Sequence, residues 1–113
     1  MTAARDPTAH AEIVAIRRAC RALDSFDLRG CELFTSCEPC PMCLGAAHWA
    51  RLDRVWFANT HADAAAIGFD DALLYRELAL PPERHALPMR RLLGAEALAV
   101  FEAWREKPDK VPY

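Results

Sequence analysis

Between Glu32 and Cys43 the chain reads ELFTSCEPCPMC, and this run decides the fold. Glu32-Leu33-Phe34-Thr35-Ser36 has the length and the aromatic and β-branched content of a short strand. Cys37-Glu38-Pro39-Cys40-Pro41 interrupts it, and Pro41 suits the first turn of a helix, where its missing N–H is not needed. A helix is predicted from about Cys40 to Ala50. A second β-rich run, Arg54 to Ala58 (RVWFA), follows it. Strands that alternate with helices join by right-handed crossovers, so the fold class is α/β, with a mostly parallel central sheet and helices on its faces.

Upstream, Thr8 is placed to cap a helix in which Ile13, Ile16, Cys20 and Leu23 recur at spacings of three and four, and Gly30 lies near its end. Downstream the pattern predicts a short helix over Asp70–Leu78, a weak strand over Leu87–Leu93 with Pro88 near its start, and a helix over Gly94–Glu106. The 113 residues make one domain, 1–113, with 53% hydrophobic and 27% charged residues. No apolar run approaches the ~20 residues of a membrane span, and no signal-peptide segment opens the chain, so a cytoplasmic location is expected. Fourteen basic against sixteen acidic residues give a net charge of −2, which disfavours nucleic acid as a partner.

Five cysteines (Cys20, Cys31, Cys37, Cys40 and Cys43), three of them within residues 37–43, suit a metal site in a reducing compartment better than a disulfide framework. Cys40 and Cys43 stand three apart in a first helical turn, where both side chains reach one ion and the positive helix end favours thiolates. His10 is the third candidate ligand. With Zn²⁺ as cofactor, two thiolates and an imidazole leave a fourth position for water. His10-Ala11-Glu12 and Pro39-Cys40-Pro41-Met42-Cys43 stand in the order of the HxE and PCxxC signature of nucleobase deaminases. In that chemistry zinc-bound hydroxide attacks an amidine-like ring carbon, and Glu12, itself not a ligand, carries protons from the water to a ring nitrogen and then to the departing amine. Two other readings stay open. Cys37 could close a structural site with His10, Cys40 and Cys43, and a CxxC pair alone also occurs in redox proteins.

The chain resembles the cytidine deaminase-like superfamily, and within it the bacterial guanine deaminases. Residues 6–13 (DPTAHAEI) and 35–46 (TSCEPCPMCLGA) carry the part shared with tRNA adenosine deaminases; Trp49-Ala50-Arg51, Gly68-Phe69-Asp70-Asp71, Phe101-Glu102-Ala103-Trp104 and the final Tyr113 carry the guanine deaminase part. The resemblance implies a three-layer α/β/α fold and a homodimer, with C-terminal segments exchanged between subunits. It implies Asp71 (or its neighbour Asp70) as a second acid, Phe69 packing on the purine, and Tyr113 closing the pocket. Ordinary roles compete: Asp71 as a helix cap, Phe69 as core. The family's N-terminal helix and hairpin, with an asparagine that binds the base, do not precede His10 here. The fold is therefore expected to be N-terminally incomplete, with ELFTS as an exposed edge.

The leading function is a zinc-dependent aminohydrolase that converts guanine to xanthine and ammonia. A tRNA adenosine deaminase and a truncated, non-catalytic zinc-binding module are the alternatives. Related aminopurines and triazines remain open as substrates. His48, His61 and His85 are expected to face solvent or bond locally, and Cys20, Trp49 and Trp56 to serve the core or an interface.

Overall fold

A computed structural model describes residues 1–69 and 71–112. They form two compact units, Met1–Ala79 and Leu80–Tyr113. The first contains α1 (Ala11–Leu23), β1 (Glu32–Cys37), α2 (Pro41–Trp49), β2 (Arg54–Asn59), α3 (His61–Ala66) and α4 (Ala72–Leu78). The second contains a 3₁₀ turn, Pro82–Arg84, and α5 (Gly94–Glu106).

β1 and β2 pair in parallel, with Leu33 opposite Val55, Thr35 opposite Phe57 and Cys37 opposite Asn59. The strand, helix, strand order read from ELFTSCEPCPMC and RVWFA is therefore what forms. The sheet has these two strands among the described residues. Helices α1 and α2 pack against each other. Ile13 of α1, Leu33 of β1, Cys43 and Ala47 of α2, together with Leu28 and Ala50, form the buried core. The contact between α1 and α2 includes their N-terminal ends, where His10 lies within reach of Cys40 and Cys43.

Three local expectations are corrected. Thr8 does not cap α1; its hydroxyl and amide both bond to Asp6 Oδ1 (2.7 and 2.8 Å), and His10 occupies the N-cap. The helix stops at Leu23, because Asp24 adopts the left-handed conformation (φ 48°) that ends it well before Gly30. Leu87–Leu93 forms no strand. Pro88 removes a donor there and a strand persists only in a ladder, which this segment does not make with the described residues of its own unit. Cys20 is half-buried, while Trp49 and Trp56 lie outside the core.

Among the described residues, no helix is long and apolar enough to cross a membrane.

Candidate active site

Two helix starts meet at the site. His10 is the N-cap of α1 and Cys40 the N-cap of α2, with Pro41 following at the first helical position. Neither side chain caps its own helix, so both are free to face the space between. Glu12 and Cys43 come from the first turns of the same helices, and both helix dipoles present their positive ends here.

His10 Nδ1 stands 3.6 Å from Cys40 Sγ and 3.5 Å from Cys43 Sγ. All three donor atoms lie within 4.8 Å of one another. Nitrogen and sulfur donors on a tetrahedral zinc, at ~2.0–2.1 and ~2.3 Å from the ion, stand roughly 3.5–3.6 Å apart, so the spacing fits that metal. Cys43 is fully buried. Burial pushes its thiol far up, and Cys40 and Glu12 beside it push it further. Two sulfurs and a carboxylate gathered around a buried Cys43, with Cys40 and Glu12 half-buried, call for a cation in their midst. Cys37 lines the same cleft but stands outside the ligand group found among the described residues, so the closed four-ligand alternative loses its geometry.

Glu12 reaches the triad without joining it. The Cys43 thiol donates to Glu12 Oε2 at 3.6 Å, and the Thr35 hydroxyl lies 3.2 Å from Glu12 Oε1. Thr35 Oγ1 is also 3.1 Å from the carbonyl oxygen of Cys37. A hydroxyl has one proton to give and can also accept, so Thr35 can donate to an ionised Glu12, or accept from a protonated Glu12 while donating to Cys37. The sequence carried Thr35 only as part of the shared TSCEPC run.

A cleft of about 770 Å³ opens from the triad at the C-terminal end of β1. Its lining draws on two stretches of chain, a metal wall with Ala9, His10, Glu12 and Cys40, and a second wall with His61, Ala64, Gly68, Phe69 and Asp71. The second wall has its own local logic. Helix α3 begins with a capping box between Thr60 and Asp63 and ends on Gly68 at φ +88°, with Gly68 N–H donating to Ala65 O and Phe69 N–H to Ala64 O. This Schellman closure needs a residue at ease with positive φ, and it turns Phe69 toward the cleft beside Ala64. Phe69 is 71% exposed, which removes the reading of it as a core side chain.

Asp71 occupies the N-cap of α4, yet its side chain makes no cap hydrogen bond. Its Oδ1 lies 3.5 Å from His61 Nδ1 instead. His61 therefore lines the cleft, where the sequence suggested a side chain facing solvent or bonding locally. Its backbone N–H donates to Glu38 Oε2 (3.0 Å), and its Nε2 lies 3.1 Å from Glu38 Oε1. Tyr75 sets its ring edge against the imidazole (4.6 Å between centroids) and donates its hydroxyl to Pro39 O at 3.3 Å. Partial burial, with Asp71, Glu38 and Cys40 nearby, raises the Tyr75 phenol above its ordinary value and keeps it a donor. Asp70 and Tyr113 lie outside the described residues.

A histidine and two cysteines at zinc spacing with a carboxylate beside them define a class. Residues 1–59 match the family of the cytidine and deoxycytidylate deaminase zinc-binding region, and the chain belongs to this family of hydrolytic deaminases, whose metal is zinc. Over all 113 residues it is 49% identical to guanine deaminase of Bacillus subtilis (strain 168), of which it covers 72%. A crystal structure of guanine deaminase from Bacillus subtilis superposes with a TM-score of 0.94 at 49% identity, over 99% of this chain and 71% of that one, which establishes the cytidine deaminase-like α/β fold. The tRNA-specific adenosine deaminase of Aquifex aeolicus (strain VF5) is 50% identical over 54 residues, covering 48% of this chain and 36% of that protein.

Proposed function

We propose that the chain hydrolyses guanine to xanthine and ammonia. The observation that carries this reading is that Asp71 lines the same cleft as Glu12, in a chain whose likeness to guanine deaminase runs through all the lining residues. His10 Nδ1, Cys40 Sγ and Cys43 Sγ would hold the zinc, which when bound supplies the Lewis acidity that makes water nucleophilic near neutral pH.

The remaining work falls to the chain's own groups. Glu12 takes the first proton of the attacking water at its carboxylate and delivers it to the ring nitrogen beside C2 as the new C–O bond forms. The second water proton must reach the amine before the C–N bond breaks and ammonia leaves. Guanine carries that amine at C2, a position reached differently from the amines of cytosine and adenine, and Asp71 gives this transfer a second acid on the far side of the ring. Thr35 steadies Glu12 in both of its protonation states. Phe69 offers an aromatic face to the purine, and Tyr113 is proposed to close the pocket on the strength of the resemblance alone. Residues 1–113 are read as one domain, active as a cytoplasmic homodimer with exchanged C-terminal segments.

The 50% identity to a tRNA-specific adenosine deaminase over 54 residues supports a second reading. A net charge of −2 offers an RNA backbone little footing. Ammonia release from free guanine, run beside an inosine assay on tRNA, separates the two. Ammonia without inosine is the expected result. Inosine with no ammonia would make the chain an RNA deaminase, and neither product from zinc-loaded protein would favour the non-catalytic module.

A further inference from the structure

We infer that His61 is the positioning residue of Asp71: its imidazole, held by Glu38, fixes the aspartate carboxylate in the lining of the cleft that Glu12 also lines. This rests on the reading of Asp71 as the second acid.

A carboxylate at a helix N-cap ordinarily turns inward to the free amides of its own helix. Asp71 makes no such bond, so another group must set its rotamer, and His61 Nδ1 at 3.5 Å is in place to do so. His61 is itself doubly anchored. Glu38 grips its backbone N–H with one oxygen and faces its Nε2 with the other (3.0 and 3.1 Å), while the edge of Tyr75 limits ring rotation. Glu38 and Tyr75 also belong to the metal side, Glu38 two residues before Cys40 and Tyr75 through its bond to Pro39 O. The position of Asp71 is thus referenced to the segment that carries the ligand cysteines. The imidazole thus has a carboxylate oxygen near each ring nitrogen, Glu38 Oε1 at Nε2 and Asp71 Oδ1 at Nδ1, which places it between the two acids.

The test uses the full zinc-loaded chain. The ¹⁵N shifts of the His61 ring nitrogens are compared between wild type and Asp71→Asn. A changed Nδ1 signal with an undisturbed Nε2 is expected; an unchanged ring would overturn the inference, whatever the enzyme turns over. Kinetics then tests the consequence. His61→Phe should lower kcat by roughly 10- to 100-fold, the scale of a misplaced catalytic group, with KM and zinc content held. His61→Asn, whose amide can stand in for Nδ1, should recover most of that loss, and His61→Gln, which mimics Nε2, should not. In the Asp71→Asn background His61→Phe should cost nothing more; additive losses would show that His61 does not act through Asp71. If wild type releases no ammonia from guanine yet the ring shift appears, the substrate reading fails while the positioning of Asp71 stands.

Discussion

The two walls of the cleft are made in different ways. The metal wall is local: His10 with Glu12, and Cys40 with Cys43, are each set within a first helical turn, and helix packing brings the two turns together. The second wall is relational. Phe69 and Asp71 depend on a glycine turn and on contacts among the segment after β1, α3 and α4, and no covalent spacing dictates them. Damage to the first wall should therefore remove the metal, and damage to the second should slow the chemistry with the metal in place.

The largest effect is expected at the ligands. Cys40→Ser or His10→Ala should drop zinc, measured by atomic absorption, from about one ion per chain to a small fraction, because an open site has no ligand to spare. Cys37→Ser should keep its zinc. Equal losses from Cys37→Ser and Cys40→Ser would return the structural-site reading.

Glu12→Gln comes next. It should retain zinc and the fold and lose ~10²- to 10⁴-fold in kcat, the usual contribution of a general acid–base group, since an amide neither takes nor gives the protons of each step. A variant that keeps more than about a tenth of the wild-type rate would move the proton shuttle elsewhere, given that range.

Asp71→Asn tests the relational wall and should cost ~10²-fold, at the lower end of the same range, with zinc unchanged. Lost zinc in this variant would mean that the walls are not separable as described. Guanine turnover close to wild type would return Asp71 to its ordinary place at a helix start.

The same contrast decides what could be read from the sequence. The PCxxC turn, the HxE turn and the β1–α2–β2 order were legible because their determinants lie within a few residues of one another. Helix α3 went unread, although Thr60-His61-Ala62-Asp63 is a capping box and Gly68 a stop signal; six residues with four alanines carry too little apolar periodicity to stand out. The reach of His61 to Glu38 and Asp71, and of Thr35 to Glu12, was not legible at all, since these partners are ten to twenty-three residues distant and meet only in the folded chain. The Leu87–Leu93 strand failed for the opposite reason: its apolar residues were legible and its lack of a partner was not. Helix α5 was placed correctly, yet Leu98, Phe101 and Trp104 are exposed, so periodicity marked a face without naming what it packs against.

The smallest expected effect probes what holds the metal wall rigid. Behind it, Asp27 accepts bonds from the Arg29 guanidinium and from Arg51 just after α2 (3.2 Å to Asp27 Oδ2). These bonds tie the loop that follows α1 to the far end of α2. Bonding to Arg29, with Arg51 adding charge, holds the Asp27 carboxyl well below the usual carboxylate range. A group lowered on folding adds stability above its unfolded value of ~3.9 and loses that contribution as pH falls through the folded value. Asp27→Asn should therefore lower Tm modestly at pH 7, leave kcat and zinc unchanged, and close the gap to wild type progressively as the pH falls from about 4 toward the lowered folded value. Because the pair is partly exposed, 1 M salt should narrow the neutral-pH gap as well. A gap in Tm that ignores both acid and salt would show that the substitution acts through packing, and the rigidity of the metal wall would then rest on the buried contacts of Ile13, Leu28 and Ala47 alone.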